Sequence, residues 1–387
     1  MRKAQFYKLL FTQEEMVSGA EKEIKRLLSL ADIKINGSRP WDIQVHDKRL
    51  YNRIIAKGSM GLGESYVDGW WDCKNIDELF YRILCAELDS KFKINAKTIL
   101  QFIKSKLFNL QSINRAYQVG EKHYDLGNDL FIKMLDKRLT YTCGYWGDAR
   151  NLDQAQEAKL DLVCKKLKLK PGQKILDIGC GWGSFMKFAA EKYKVRCVGV
   201  TVSKEQVKLG KKLCKGLPVE FRLQDYREIN EKFDHIVSLG MFEHVGPKNH
   251  RKYIELVNRC LKDEGLFLLH TLGFSEINDI ADPWIEKHIF PNGHIPNMRN
   301  ISEATNGLFV MEDWHNFGAY YDLTLMAWFN NFEKGWSELK KNYDKRFYRT
   351  WKYYLLSCAG GFRARKIQLW QIVLSKKGVP TGYLSVR

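Results

Sequence analysis

The stretch that decides the fold of this chain is KILDIGCGWG, residues 174–183. Its first half is a short apolar run, which is typical of a buried parallel strand. Its second half carries glycine at every other position, and the following SFMKFAA, residues 184–190, reads as a helix. A strand, a tight glycine turn and a helix form the nucleotide-binding corner of a doubly wound sheet, because glycine lets the backbone turn sharply beneath a ligand.

The glycine spacing narrows the type of nucleotide site. Gly179, Gly181 and Gly183 follow Asp177, whereas the dinucleotide fingerprint requires its third glycine at the position of Ser184. The observed pattern resembles motif I of the class I S-adenosylmethionine methyltransferases. The resemblance implies that these glycines pass under the methionine and ribose of the cofactor. A plain glycine-rich turn in another α/β protein is the alternative interpretation.

Length and composition bound the other possibilities. With 387 residues, of which 45% are hydrophobic, the chain can form about two domains with a large core. No run of 18 apolar residues occurs and no cleavage site follows the N-terminus, so the sequence predicts neither a transmembrane helix nor a signal peptide. The nine cysteines are scattered without a Cys-x-x-Cys pair, which favours a reducing cytoplasm over a disulfide framework or a structural zinc site.

The charge of the chain suggests an anionic partner. The formal net charge of +18 attracts a polyanion, which would be nucleic acid or an anionic membrane face; a generally basic, solvated surface is the alternative. In residues 91–108 apolar side chains can share one helical face, and no acid occurs between Lys91 and Arg115. A basic amphipathic helix of this kind can lie in a membrane interface, or it can pack on its neighbours with its lysines in water.

The N-terminal part reads as mainly helical. Apolar residues recur at helical spacing over residues 16–31, and a further helix is predicted from about 76 to 88. Between them, the glycine-rich aromatic segment 57–71 lacks a phosphate-loop ending and is predicted to be a binding loop or a packed turn. We predict two domains: residues 1–115, a lipid- and membrane-engaging domain with a linker at its end, and residues 116–387, an S-adenosylmethionine-dependent catalytic domain.

Alternating strand and helix patterns in the second part predict an α/β domain. They indicate the seven-stranded, Rossmann-like order of a class I methyltransferase catalytic domain, accompanied by the smaller, mainly helical N-terminal domain. The long irregular stretch 274–307 is predicted to be functional, as loops of that length usually are. Strands are predicted at about residues 174–178, 195–201, 219–223, 234–239 and 265–271, with further strand signals at 308–311 and 368–374.

Polar residues at the carboxyl ends of these strands should face one crevice. Thr201 ends the second strand, where many nucleotide-binding folds place an acid for the ribose hydroxyls, and Gln206 is the nearest further polar group. Asp225, which follows Gln224, can accept a hydrogen bond from an adenine amino group, or it can act as a helix N-cap.

The fourth and fifth strands deliver Glu243, His244 and His270 to the same edge, and Cys143 lies upstream in the segment 141–146. Carboxylate, imidazole and thiol groups could suggest a metal. Their spacing is not that of a known zinc motif, so no metal site is predicted.

Longer blocks of sequence around these residues carry a closer resemblance. Together they resemble the cyclopropane-fatty-acyl-phospholipid synthases, in the right order and over about residues 20 to 375. The mycolic acid cyclopropane synthases resemble only the second domain, so the N-terminal domain points to the enzymes that act on phospholipids. The blocks are residues 61–71, 108–112, 123–129, 176–183, 240–249, 268–273, 314–318 and 359–365.

The resemblance implies a reaction and its cofactors. The π electrons of a cis double bond in a phospholipid acyl chain would attack the methyl group of S-adenosylmethionine. The carbocation would then lose a proton from the added methyl group to a bound bicarbonate ion, and a cyclopropane ring would close. An alkene has no acidic proton to remove first, so methyl transfer itself needs no general base.

The resemblance also implies the site residues. Bicarbonate would be held by Cys143, Glu243, His270, Tyr321 and Leu272, the last through its backbone. The implied cofactor-binding residues are Tyr141, Thr142, Asp177, Gly179, Gly181, Gly183, Thr201, Gln206, Gln224 and Asp225. Aromatic side chains would shield the cation, each contact contributing roughly 0.5–2 kcal/mol. The candidates are Tyr145, Trp146, Trp182, Trp284, Phe317, Tyr320 and Tyr321.

Three other functions compete with ring formation. The same cofactor could serve to make a methyl-branched lipid or to methylate another amphiphile. The charge allows a nucleic-acid methyltransferase, but the sequence has no nucleic-acid-binding module or base-methylating motif. A non-catalytic membrane-surface protein would not need an intact glycine loop. We predict a cytoplasmic enzyme, peripherally associated with the inner face of the membrane, whose partner is a phospholipid bilayer and not nucleic acid, and we allow for a homodimer.

Overall fold

The computed structural model describes residues 13–91, 127–276 and 282–387. The described residues divide into two compact units. The first comprises the described residues of Met1–Phe108 with Asp282–Ile289 and Lys340–Ala364. The second comprises those of Asn109–Ala281 with Phe290–Leu339 and Arg365–Arg387.

The helices and strands follow one another along the chain in a largely alternating order. The helices are α1 (Gln13–Ser29), α2 (Arg49–Lys57), α3 (Ser59–Val67), α4 (Ile76–Cys85), α5 (Leu88–Lys91), α6 (Asn128–Met134), α7 (Leu152–Lys166), α8 (Ser184–Tyr193), α9 (Lys204–Leu213), α10 (His250–Cys260), α11 (Pro283–His288), α12 (Met298–Thr305), α13 (Ala319–Leu339) and α14 (Lys345–Arg363). The strands are β1 (Gln44–Val45), β2 (Trp71–Asp72), β3 (Lys174–Ile178), β4 (Arg196–Thr201), β5 (Val219–Leu223), β6 (His235–Leu239), β7 (Leu266–Phe274), β8 (Val310–Asn316) and β9 (Ile367–Ser375).

The second unit is built on a seven-stranded sheet in the order β5-β4-β3-β6-β7-β9-β8. Strands β3 to β7 are parallel, whereas β9 runs antiparallel to both β7 and β8. Both faces of the sheet are covered. Leu176 and Ile178 of β3 pack into one apolar cluster and Ile175 into another, as the two-residue period of a strand requires. The predicted fold class is confirmed.

Local sequence signals fix several helix starts. Asn151 accepts a hydrogen bond from the Gln154 backbone at the start of α7, and Asp344 accepts one from Phe347 at the start of α14. Each such cap satisfies an amide group that the first turn of a helix leaves without a partner, and it typically contributes about 1 kcal/mol. No helix within the described ranges is both long and apolar enough to cross a membrane.

The first unit corrects one expectation about local structure. Residues 57–71, predicted as a loop or turn, form the end of α2, then α3 and the strand β2. Glycine is required inside α3 by close packing: a Cβ on Gly61 would lie 2.2 Å from the Arg53 carbonyl oxygen, and one on Gly63 would lie 2.5 Å from the Trp284 ring. These glycines therefore serve helix packing.

The composition of the first unit also differs from the predicted continuous domains. Helix α14 packs on α4, where Arg363 donates to Asp77 at 2.8 Å and a Cβ on Gly360 would lie 2.5 Å from the Asp77 carbonyl oxygen. The segments Asp282–Ile289 and Lys340–Ala364, which the sequence placed in the catalytic domain, belong with the N-terminal residues. The predicted boundary at 115 and 116, and the predicted helix 91–108 beyond Lys91, lie outside the described residues. The roles of the two domains stay predictions.

Candidate active site

A cavity opens at the carboxyl ends of the parallel strands in the second unit. This is where open α/β sheets bind their ligands. Every predicted cofactor-binding residue except Gly183 lines it: Tyr141, Thr142, Asp177, Gly179, Gly181, Thr201, Gln206, Gln224 and Asp225. Gly183 lies at the start of α8, where a Cβ would come within 2.4 Å of the Phe221 ring, so its place in the structure is explained by packing.

The glycine turn between β3 and α8 faces this cavity at Gly181. Its backbone is left-handed, with φ of +54°, and among the described residues no atom lies within 4 Å of the position a Cβ would take. At Gly179, by contrast, a Cβ would meet the Met241 side chain at 2.7 Å. The space beside Gly181 is therefore open where this glycine lines the cavity, and that beside Gly179 is filled by the Met241 side chain.

The end of β4 carries a neutral polar pair in place of the usual acid. The Thr201 hydroxyl donates to Gln206 Oε1 at 2.7 Å, and both side chains are buried at the cavity. Because Gln206 Oε1 is engaged in this way, its Nε2 is the group that could donate to a cofactor hydroxyl.

Asp225 combines the two roles that its sequence left open. It caps the short 3₁₀ turn Tyr226–Glu228 by accepting from the Arg227 backbone at 2.9 Å, and it also lines the cavity. The Arg227 guanidinium binds both carboxylate oxygens, each at 2.7 Å. Asp225 is thus held rigidly at the edge of the cavity.

Sequence reasoning missed Lys159 of α7. It is fully buried, lines the cavity and donates to the Thr142 hydroxyl at 2.8 Å. Burial lowers the pKa of Lys159 to about 8 and raises that of Asp177 to about 7. The sequence shows only that Lys159 and Lys166 are seven residues apart, which places them on one face of a helix. In the structure Lys166 is buried as well.

The predicted bicarbonate ligands come together in a second, apolar cluster. Cys143 packs there with Leu272 and Tyr321 around Phe317, whose ring centroid lies 5.9 Å from that of His270. Glu243 joins through its Oε1, which accepts from the Leu272 backbone N–H at 2.6 Å. Segments far apart in the chain are thereby brought to one site.

Leu272 has a more definite position than the sequence could give. Its N–H is taken by Glu243, and its carbonyl accepts from the Thr271 hydroxyl at 3.0 Å. The backbone of Leu272 therefore orients Glu243, and a direct contact of Leu272 with bicarbonate stays a prediction.

The cluster has polar atoms that suit a small anion with a hydroxyl group. Glu243 Oε2 and His270 Nε2 are buried and have no hydrogen-bond partner among the described residues. Such atoms are costly to bury unless a ligand or water satisfies them. Burial raises the pKa of Glu243 to about 7, lowers that of His270 well below its usual range and raises that of the Cys143 thiol. One acceptor, one ring nitrogen and one thiol fit bicarbonate, which can both donate and accept.

The candidate aromatic residues divide between several places. Tyr145 contacts Phe317 and Tyr320 edge to face, with centroids 5.5 and 5.4 Å apart, beside Cys143. Trp182 lines the cofactor cavity. Trp284 is instead buried in the first unit against Tyr353. Trp146 donates to the buried Thr324 hydroxyl at 2.9 Å.

The burial of Glu243 should be visible as a pH dependence of stability. Between its ordinary pKa of 4.5 and about 7, the folded protein keeps a proton here that the unfolded chain has lost. The free energy of unfolding therefore falls as the pH rises through this window. The free energy of unfolding of Glu243→Gln, relative to that of the parent, should therefore rise by about 3 kcal/mol from pH 4.5 to about pH 7, as measured by urea denaturation.

The control for that measurement is Glu303→Gln, which changes an exposed carboxylate on α12. Its stability relative to the parent should not vary with pH in this way. A constant difference between Glu243→Gln and the parent would mean that Glu243 ionises alike in the folded and unfolded chain.

Comparisons with known proteins bear on this site. A family model described as mycolic acid cyclopropane synthetase matches residues 111–372. The cyclopropane-fatty-acyl-phospholipid synthase of Escherichia coli strain K12 is 54% identical over 356 residues, which cover 92% of this chain and 93% of that protein. The chain belongs to the mycolic acid cyclopropane synthetase family. The resemblance predicted from the sequence blocks is confirmed.

Solved structures of the family support the same assignment. The structure of the cyclopropane synthase MmaA2 from Mycobacterium tuberculosis matches with a TM-score of 0.64 and 31% identity. The match covers 70% of this chain and 100% of that chain. A mycolic acid cyclopropane synthase complexed with SAH and CTAB has a TM-score of 0.63 and 32% identity, covering 67% of this chain and 98% of that one. The predicted enzyme class, an S-adenosylmethionine-dependent methyltransferase, is confirmed.

Proposed function

We propose that this enzyme forms cyclopropane rings in membrane phospholipids. It would transfer a methylene carbon from S-adenosylmethionine to the cis double bond of an unsaturated acyl chain, with bicarbonate as the base. The proposal rests on two buried atoms that have no hydrogen-bond partner among the described residues, Glu243 Oε2 and His270 Nε2. Their cluster is next to the cofactor cavity along the chain, because Thr142 lines the cavity and Cys143 belongs to the cluster.

The cofactor cavity accounts for the first half of the reaction. When bound, S-adenosylmethionine supplies the methyl group. Gly181 leaves room for it, and Asp225 and the amide of Gln206 present an acceptor and a donor at the cavity wall. Asp177 and Lys159 are opposite in charge when ionised and suit the zwitterionic methionine end.

The second cluster supports the proposed loss of the proton. When bound, bicarbonate supplies the base. Glu243 Oε2 can accept a hydrogen bond from a hydroxyl group. The Cys143 thiol, kept protonated by its raised pKa, donates to the Gly144 carbonyl oxygen at 3.2 Å and would turn its S–H towards the anion when bicarbonate binds. Tyr145, Phe317 and Tyr320 exclude water and present aromatic faces and edges around Cys143, which suits a short-lived cation.

Lipid analysis of a bacterium expressing the protein tests the proposal. Unsaturated acyl chains should gain a CH₂ group, and the product should resist mild hydrogenation of alkenes, because a ring replaces the double bond. Cells with the empty vector are the control. A methyl-branched alkene would select the alternative, a lipid methyltransferase without ring closure. Unchanged lipids would contradict both.

We also propose that the N-terminal domain engages the cytoplasmic face of the bilayer. Surface attraction contributes about 1 kcal/mol per lysine near an anionic membrane, and salt screens it. Binding to anionic vesicles should therefore weaken as salt rises, and further in a triple glutamine variant of the basic segment 91–108, measured by sedimentation. The substituted residues are Lys97, Lys104 and Lys106.

The matched control removes the same charge elsewhere, by glutamine at Lys211, Lys212 and Lys215. If the two triple variants bind alike in low salt, the segment 91–108 is not the contact. The basic stretch 340–352 would then be tested in the same way.

A further inference from the structure

Gln371 lies beside His270 on the neighbouring strand. The antiparallel register of β7 and β9 pairs the two residues directly. Both are buried, Gln371 completely so, and Gln371 Nε2 lies 3.3 Å from His270 Nδ1. A buried amide has lost its hydrogen bonds to water, so burying it costs free energy unless it forms hydrogen bonds with neighbouring groups.

The contact decides which ring nitrogen of His270 carries the hydrogen. Burial lowers the pKa of His270 well below its usual range, so the ring is neutral and has a single N–H. When the Gln371 amide donates to Nδ1, this nitrogen is the acceptor, so the single hydrogen of the ring nitrogens must be on Nε2. The Nε2 atom has no partner among the described residues, so its N–H remains available to a ligand.

The opposite arrangement would work against anion binding. If Nδ1–H donated to the Gln371 carbonyl oxygen, Nε2 would be a bare acceptor. Together with an ionised Glu243 Oε2, it would give the cluster two acceptors facing one ligand and would repel an anion. The orientation of the Gln371 amide therefore determines whether His270 can hold bicarbonate.

We propose that Gln371 is a positioning residue that donates to His270 Nδ1 and so holds His270 in the tautomer with hydrogen on Nε2. His270 then acts as a hydrogen-bond donor to the anion beside Glu243. The proposal rests on the bicarbonate-dependent function proposed above, and it adds a residue from the antiparallel strand β9 to that site.

The tautomer can be measured without turnover. The full chain, labelled with ¹⁵N-histidine, is studied by NMR without cofactor, and the His270 signals are assigned by their loss in His270→Asn. In the parent, Nε2 should carry the hydrogen. In Gln371→Met, which keeps an unbranched side chain but cannot donate, the signals should shift towards the other tautomer or average between the two. A parent with hydrogen on Nδ1 would overturn the proposal.

Bicarbonate dependence gives the second measurement. In degassed buffer, the bicarbonate concentration for half-maximal ring formation should rise about tenfold or more in Gln371→Met, since one hydrogen bond to a charged group is weakened. Cofactor affinity, measured by calorimetry, should stay unchanged and shows that the variant is folded. Gln371→Leu provides a second variant of different shape.

The matched control is Gln173→Met. Gln173 Nε2 lies 3.0 Å from His235 Nε2, a similar contact at the amino-terminal ends of the parallel strands, away from the cavity. This variant should keep the bicarbonate response of the parent. If Gln371→Met and Gln371→Leu keep it as well, the positioning role is wrong. If the parent itself ignores bicarbonate, the proposed base is wrong, and the NMR result still decides the tautomer.

Discussion

Glu243→Gln is expected to lower ring formation about a hundredfold while leaving the affinity for S-adenosylmethionine nearly unchanged. In the parent, Glu243 Oε1 accepts a hydrogen bond from the Leu272 N–H at 2.6 Å, and the amide oxygen of glutamine can accept the same bond. Its amide NH₂ then replaces Oε2, the buried atom without a partner. A donor would stand where the ligand hydroxyl requires an acceptor, and the hydrogen bond is lost without any loss of shape.

Product analysis and calorimetry measure the two quantities separately. Cys143→Ser should be milder, because a hydroxyl can replace much of the contact of the thiol. Ring formation by the parent should fall in degassed buffer and recover when bicarbonate is added. If ring formation ignores bicarbonate and Glu243→Gln is as active as the parent, the base lies elsewhere, and His244 at the cofactor cavity is the next candidate.

Gly181→Val is expected to abolish cofactor binding while the fold persists. A Cβ at this position would meet no described atom within 4 Å, so the valine side chain would extend into the proposed space of the ligand. The left-handed backbone adds a cost of roughly 1–2 kcal/mol to folding for a residue other than glycine. Gly181→Ala, with a smaller side chain and less strain, should weaken binding at least about tenfold, a loss of about 1.4 kcal/mol.

The control for backbone strain is Gly172→Ala. Gly172 also has a positive φ, +84°, and no described atom within 4 Å of its Cβ position, but it lies before β3 and away from the cavity. It should lose a similar amount of stability and keep the parent's affinity in calorimetry. Unchanged affinity in Gly181→Val would contradict the assignment of this turn to the cofactor.

The sheet could be predicted because its strands carry their own signal. The predicted bounds of β3 and β5 agree with the structure, and the rule that ligands bind at the carboxyl ends of parallel strands led to Glu243 and His270. The partners of these residues could not be predicted in the same way. The bond from Leu272 N–H to Glu243 and the pairing of Gln371 with His270 depend on register between strands, which no local pattern encodes.

Two further misses have a physical cause in burial. Glycine disfavours helices, so Gly61 and Gly63 indicated a loop, yet close approach to Arg53 and Trp284 demands glycine within α3. Lysine is normally exposed, so no pattern in the sequence singled out Lys159. Only the folded structure shows that it is enclosed beside Thr142.

The three-segment composition of the first unit has a consequence for synthesis on the ribosome. Helix α4 emerges early, but α14, which packs on it, is made about 270 residues later. At about 5–20 residues per second, this interval is roughly 13–54 s. During that time the Phe80 ring of α4 lacks its partner in α14, the Tyr353 ring, whose centroid lies 5.4 Å from that of Phe80 in the folded protein. The nascent chain must therefore keep the face of α4 that carries Phe80 from aggregating until α14 has been synthesised.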